Sequence, residues 1–355
     1  MSAPTEDPIA TATQPEVANV DARTVGLATG EDTNALGPLA QLPGVWANVG
    51  SHDNTLVGRG WNMIALPFGG ADEVPFRLLL NQFNERLEFS LVDKNIPNRG
   101  VDQLTHTEAD ESIAALDYEQ SIMQIAAGDF PQTPLAGQPG AAIHHEPGLF
   151  LHMPEQDSTQ TTEPDSFNLG RLATIPHGDS VLALGTSSVT AGMPDIDPVD
   201  PLPVGVPHDL TDPYLAPYVH FHNVNQGDNK NFRGALDPTD PVALLEQSNT
   251  NVNITSTTTL TMSTVNQGGI TNIPLVTKQA NATEMHATFW IQQLEDTDLF
   301  GRPRLRLQYL QVVFLEFLPR TDGVPGLIRW PHISFNTMEK ISDTPDPGYG
   351  ALKLF

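Results

Sequence analysis

The stretch "RLRLQYLQVVFLEFL" (residues 304–318) decides the fold, because its apolar and polar side chains alternate with a period of two. In an extended chain, alternate side chains point to opposite faces. One face carries Leu305, Leu307, Tyr309, Val313, Leu315 and Phe317, and the other carries Arg304, Arg306, Gln308 and Glu316. This pattern is typical of a long antiparallel strand with one buried face.

Segments of the same kind recur along most of the chain. Gly, Pro, Asn and Asp clusters separate the further strand-like runs, at 60–68, 76–83, 87–92, 115–125, 143–153, 169–176, 179–189, 251–265, 284–296 and 329–341. The only convincing helical pattern is "DPVALLEQS" (240–248). These features predict an all-β fold, a single antiparallel calycin-like β-barrel of about ten strands. A barrel of that size can enclose a ligand cavity.

The chain divides into one domain with appended or inserted segments. Residues 1–35 are polar and rich in Pro, Thr and Ala, which predicts a flexible N-terminal arm. The barrel is expected over 36–341, followed by a C-terminal tail at 342–355. Residues 191–250 are packed with Pro, Asp and Gly, which predicts a long loop insertion over the surface of the barrel.

Composition excludes several classes of function. Forty-three acids against seventeen bases give a formal net charge of −26, which disfavours nucleic acid and anionic membranes as partners. The chain has no cysteine, so thiol nucleophiles, disulfides and iron–sulfur clusters are excluded. No secretory signal and no run of about 18 apolar residues is present. We therefore expect a cytoplasmic protein without a membrane span.

Several short motifs, in order along the chain, resemble one known family. They are "LPGVW" (42–46), "GRGWNMI" (58–64), "LDYEQSI" (116–122), "HHEPGLF" (144–150), "LATIPHGDSVLALG" (172–185) and "WPHISFNTMEK" (330–340). Together they resemble the nitrobindin-like haem-binding β-barrels, relatives of the fatty-acid-binding and lipocalin group. This chain departs from that pattern in being about twice as long as such a barrel requires, and in carrying Val45 where the opening motif has threonine.

The resemblance implies that haem b binds in the barrel lumen. The family's iron-coordinating histidine maps to His332, and Tyr118 belongs to a motif that the family shares. On this interpretation the chain acts on peroxide, oxygen or nitrogen oxides in a peroxidase-like way, although whether it is an enzyme stays open.

The residues around His332 leave two interpretations open. Trp330 and His332 share a strand face with the polar residues Ser334 and Asn336, and that face looks either to solvent or to the lumen. A lumenal imidazole there can bind iron, with Trp330 beside the cofactor; otherwise His332 is an ordinary surface histidine. His286 is a further candidate for the lumen and for contact with the cofactor.

The stretch "IHHEPGLFLHM" (143–153) holds two adjacent histidines that strand alternation separates. His144 and Glu146 point to one side of the strand and His145 to the other, so the two histidines do not chelate one metal together. His144, His145 and His177, which lies at a turn, are the candidates for a distal acid/base group. The alternatives are a hydrogen-bonded strand feature for the pair and a plain turn histidine for His177.

Two other functions remain open from the sequence. One is a carrier of a hydrophobic small molecule, such as a fatty acid, terpenoid or aromatic, anchored in the barrel by Tyr118, Arg304 or Arg306. Alternatively, His220 and His222 in "VHFHNV", expected on one face of a strand, would hold a non-haem divalent metal.

Overall fold

The structure of this chain is a computed structural model. It describes residues 34–48, 59–69, 74–154, 167–175, 178–223, 232, 234–265 and 267–344. The predictions for His177, for nearly all of the N-terminal arm and for most of the C-terminal tail therefore lie outside the described residues.

Twelve strands make up most of the described chain. They are β1 (Gly44–Ala47), β2 (Gly60–Pro67), β3 (Phe76–Asn98), β4 (Glu111–Phe130), β5 (Ala142–His152), β6 (Leu169–Thr174), β7 (Asp179–Ala191), β8 (Ile254–Ser263), β9 (Gly269–Asn272), β10 (Asn281–Thr297), β11 (Pro303–Pro319) and β12 (Leu327–Ser342). Two α-helices, α1 (Ala216–Asn223) and α2 (Ala243–Asn249), lie between β7 and β8. None of the described helices is long and apolar enough to cross a membrane.

Ten of these strands close into a barrel. They pair antiparallel in the order β2, β3, β4, β5, β6, β7, β8, β10, β11 and β12. The ring closes where β12 pairs back with β2, for example Phe335 with Trp61. β1 pairs with both β12 and β3 at one end, and β9 pairs with β7. The predicted all-β antiparallel barrel of about ten strands is confirmed.

Strand β3 differs from its prediction. The expected strands at 76–83 and 87–92 form one strand of 23 residues. The polar run of Asn84, Glu85 and Arg86 suggested a break, but Glu85 is fully buried with hydrogen-bond partners across the barrel, so the strand continues through it. A register shift against β4 between Gln82 and Phe83 lies just before this run.

One end of the lumen is filled by apolar side chains, which we call the inner core. They include Leu42, Trp46, Phe89, Phe150, Phe289, Leu307 and Met338. The helical turn at 34–39 and strand β1 close this end, because Leu36, Leu39 and Trp46 are fully buried. The Trp46 indole donates a hydrogen bond of 2.8 Å to the Leu42 carbonyl.

A second apolar cluster, the outer core, covers the opposite surface of the strands. Barrel residues such as Trp61, Leu310, Ile333 and Phe335 pack there against Leu215, Tyr218, Leu236 and Leu245 from the segment between β7 and β8. The described part of the predicted insertion therefore forms a layer on the barrel. The helix predicted at 240–248 is confirmed as α2.

Candidate functional site

The other part of the lumen contains a cavity of about 370 Å³. Strands β2 to β6 and β10 to β12 all contribute to its wall, through apolar side chains such as Phe83, Ile122 and Phe289 and polar ones such as Asn81, Gln124 and Gln311. The loop after β4 borders it through 135–137. This size lies within the range of small-molecule sites, about 300–1,000 Å³.

His332 and His144 reach this cavity from facing walls of the barrel. β12 and β5 are four strands apart in one direction around the ring and six in the other. Both histidines line the cavity. His332 Nε2 lies 3.5 Å from Ser334 Oγ, and His144 Nε2 lies 3.1 Å from Glu146 Oε2. Two predicted site residues thus share one chamber.

A buried ion pair lies beside His144. Arg171 donates from Nη2 to Glu146 Oε1 at 2.6 Å and from Nη1 across the lumen to Gln311 Oε1 at 2.7 Å. Its Nε donates to the Tyr118 hydroxyl at 3.1 Å, and that hydroxyl donates to Glu146. The guanidinium carbon also lies 5.4 Å from the centre of the Phe289 ring, so aromatic contact adds to the pairing.

The ion pair is charged at neutral pH. Burial alone would raise the pKa of the Glu146 carboxyl, but the Arg171 charge and the hydrogen bond from His144 outweigh burial and lower that pKa to about 2. Burial raises the pKa of Tyr118, whose hydroxyl therefore stays protonated. An anionic Glu146 can accept the His144 N–H and hold the imidazole in one orientation.

A second buried carboxyl lies below the cavity. Glu85 accepts hydrogen bonds from Gln120 Nε2 at 2.6 Å, the Tyr309 hydroxyl at 2.7 Å and Asn336 Nδ2 at 2.8 Å. Burial raises the pKa of Glu85, although these three donors oppose the shift. Gln120 and Tyr309 also line the cavity, so hydrogen-bonded polar groups form part of its floor.

Several predicted site residues lie away from this cavity. His145 is half exposed and 3.8 Å from Glu119. His286 points to the outside of β10, where its Nε2 bonds Glu284 at 2.5 Å, because the lumenal positions of that strand are Met285, Ala287 and Phe289. Trp330 packs in the outer core, stacked on Phe317 at 4.9 Å. Only Tyr118 of the three proposed cofactor neighbours of His332 is near the cavity.

The two arginines proposed as lumenal anchors also lie elsewhere. Arg304 and Arg306 line a different cavity, on the outside of the barrel with Phe335 and Thr337. Their positions on β11 alternate with the lumenal residues Leu305, Leu307 and Tyr309. The prediction that they anchor a lumenal ligand is therefore wrong.

The His-x-His pair lies on a helix, so its predicted strand geometry is wrong. Residues two apart on an α-helix point about 200° from each other. His220 stacks on Phe130 at 4.1 Å, whereas His222 Nδ1 lies 2.9 Å from Asp237. Among the described residues no group of three or more His, Asp, Glu or Cys could hold a metal ion.

The sequence interpretation missed two charged residues of the lumen, Glu85 and Arg171. Glu85 lies on a strand face with Phe83, Leu87 and Phe89, and Arg171 lies on a face with Leu169 and Ala173. A charged residue on an otherwise apolar face of a strand signals a buried polar contact. That signal was available from alternation alone.

The fold and the cavity define this chain as a closed ten-stranded antiparallel β-barrel with a small-molecule-sized chamber in its lumen. No protein-family model matches the chain, and no curated protein matches it. A structure search finds the solved structure titled "Crystal Structure of Rv2717c from M. tuberculosis". It is 14% identical over 86% of this chain and 96% of that chain, with a TM-score of 0.35. At that score the likeness carries no argument about this chain.

Proposed function

We propose that the chain binds a small molecule in the lumenal cavity, and that this molecule is haem b with His332 as its axial ligand. The observation that supports this proposal is the position of His332 and His144 on facing walls of one cavity. A group bound between them would have one imidazole on each side.

The residues of the cavity fit a haem better than they fit a bare metal ion. A bare ion usually takes three or more protein ligands, and the described residues contain no such group. A haem iron is already held by its macrocycle and takes a single histidine from many proteins. We assign that role to His332, which lines the cavity together with the apolar rings of Phe83 and Phe289.

His144 is the proposed distal acid/base. When bound, haem supplies redox chemistry on peroxide, oxygen or nitrogen oxides, and the protein must move a proton near the bound oxidant. The ionised Glu146 accepts a hydrogen bond from His144 at 3.1 Å. That contact orients the imidazole. We assign Tyr118 a positioning role through its hydrogen bond to Glu146.

A carrier without metal is the second candidate. The cavity combines apolar walls with buried amides such as Gln124 and Asn81, which can donate and accept hydrogen bonds. A small molecule with an apolar body and one polar group would match this lining.

Titration with hemin under visible spectroscopy tests the proposal. We expect a Soret band on binding to the wild type, and its loss or a shift to a five-coordinate or weak-ligand spectrum in His332→Ala. His286→Ala removes an imidazole from the outer face of the barrel and should bind like the wild type. Absence of specific binding, or an unchanged spectrum in His332→Ala, contradicts haem ligation by His332.

Two further measurements separate the remaining alternatives. If haem binds, His144→Ala should reduce peroxide turnover by about 10²–10⁴-fold while preserving the Soret band. If haem does not bind, saturable uptake of a fluorescent fatty acid, lost on filling the cavity by Gln124→Trp, would support the carrier.

A further inference from the structure

A second large groove lies on the outer surface of the barrel wall. It has a volume of about 710 Å³ and runs between the outer faces of β10 to β12, helix α2 and the segment 251–253. Arg59, Arg304 and Arg306 all line it. We call it the arginine groove.

Arg306 is a buried cation whose hydrogen-bond partners among the described residues are all neutral. Its Nε donates to Gln292 Oε1 at 2.7 Å, its Nη1 to the Ser248 carbonyl at 2.9 Å and its Nη2 to Asn249. No carboxylate among the described residues forms an ion pair with it. Because a guanidinium has five N–H donors, two remain for a further acceptor.

The other two arginines add positive charge at the same place. Arg304 pairs with Glu339, and 48% of its side chain is exposed. Arg59 makes no ion pair with a described residue and lies close enough to Arg306 to lower its pKa. Burial is the larger cause of that shift, which brings the pKa of Arg306 to about 10.

The arginine groove carries more positive than negative groups, whereas the whole chain is strongly acidic. Asp296 and Glu339 are the acids on its lining, so three guanidinium groups face two carboxylates. The chain as a whole has 43 acids and 17 bases. An anion would be repelled by most of this surface but attracted at the groove.

We propose that the arginine groove binds a small anion that carries a phosphate or carboxylate group. Its oxygens would accept hydrogen bonds from Arg306 and Arg304, and Arg59 would add long-range attraction. Planar guanidinium groups match carboxylate and phosphate oxygens in two-point contacts. Leu244 and Leu294 line the same groove and can contact an apolar part of the ligand.

Isothermal titration calorimetry with inorganic phosphate and with citrate, at constant ionic strength, tests this site. We expect the wild type to bind at least one probe, and Arg304→Gln to weaken binding about tenfold or more. Arg320→Gln removes the same charge at the far end of β11, where Arg320 pairs with Asp322, and should bind like the wild type. No binding to the wild type, or equal effects of the two variants, overturns the proposal.

A variant that is expected to bind the anion more tightly separates an effect on the site from misfolding of the protein. Glu339→Gln releases Arg304 from its carboxylate partner and removes a negative charge from the groove. It should bind the same probe several-fold more tightly, a gain that damage to the fold would not produce. Weaker or unchanged binding in Glu339→Gln contradicts the proposed contact. Arg306 is left in place, because α2 depends on its hydrogen bonds.

Discussion

Glu146 and Arg171 form a buried ion pair in which each charge is stabilised by the opposite charge beside it. Both side chains are almost fully buried, and their oxygen and nitrogen atoms lie 2.6 Å apart. Removal of water from two charges costs free energy that their attraction must offset. Tyr118, His144 and Gln311 add further hydrogen bonds to the pair, and so lower that cost.

This pair predicts a stability that depends on pH. The pKa of Glu146 is lowered from 4.5 to about 2, so its ionised form stabilises the fold above about pH 4.5 and that contribution is lost as the pH falls toward 2. The shift corresponds to about 3 kcal/mol. In urea unfolding, Glu146→Gln should be less stable than the wild type at pH 7, and the gap should narrow below pH 4.5. A gap that is constant from pH 7 to pH 3 contradicts this.

Tyr218 in helix α1 carries a buried hydroxyl with no hydrogen-bond partner among the described residues. An unsatisfied polar group in an apolar core costs about 1–3 kcal/mol. Tyr218→Phe should therefore keep or raise the free energy of unfolding, by about 1 kcal/mol. Tyr309→Phe is the matched comparison, because its hydroxyl donates to Glu85 and its loss should destabilise the protein. The denaturant midpoints of the two variants test this expectation. A Tyr218→Phe variant that is less stable than the wild type contradicts it.

At the scale of elements, alternation of side chains predicted nearly every strand. The pattern is local, so "RLRLQYLQVVFLEFL" was sufficient to predict β11, and the same reasoning applied to β10 and β12. Prediction from alternation failed for helix α1, because the sequence "VHFHNV" resembles a strand. Pro213 and the side chain of Asp212, which accepts from the Tyr214 N–H at 2.9 Å, start the helical region there.

The two faces of each strand could not be assigned from the sequence. His332 and His286 have similar surroundings in the chain, yet one lines the cavity and the other lies outside. Which face is lumenal depends on how distant strands close the ring, and β2 pairs with β12 across about 270 residues. Outer positions such as Leu310 are also buried, under the segment between β7 and β8, so hydrophobicity alone does not separate the faces.

Strands β5 and β6 approach closely at Gly148, and this contact yields a third prediction. A Cβ at Gly148 would lie 2.1 Å from the Leu172 carbonyl oxygen and 2.6 Å from the Tyr118 ring. The backbone oxygen cannot move without opening the pairing of the two strands. Gly148→Ala should therefore lower the free energy of unfolding by about 2 kcal/mol or more. Gly170→Ala, whose nearest contacts are at 3.6 Å, is the control in the same strand pair. Equal stability of the two variants contradicts the argument.

At the scale of the whole molecule, the barrel wall lies between two apolar layers. The inner core fills one end of the lumen, and the outer core joins the wall to the segment that carries α1 and α2. β7 and β8 are already neighbours in the sheet, so a short turn would be enough to connect them. The much longer connection instead covers apolar residues such as Trp61 and Phe335, which would otherwise form a large exposed patch.

The outer layer should therefore unfold together with the barrel. Leu245 in α2 and Leu260 in β8 are both almost fully buried, one in the outer core and one in the inner core. Replacement of either by alanine should lower the free energy of unfolding by about 2–5 kcal/mol. Because the two layers share the barrel wall, both variants should keep one transition that coincides by near-UV and far-UV circular dichroism. A separate early transition in Leu245→Ala, with the barrel midpoint unchanged, would instead make the layer an independently unfolding unit.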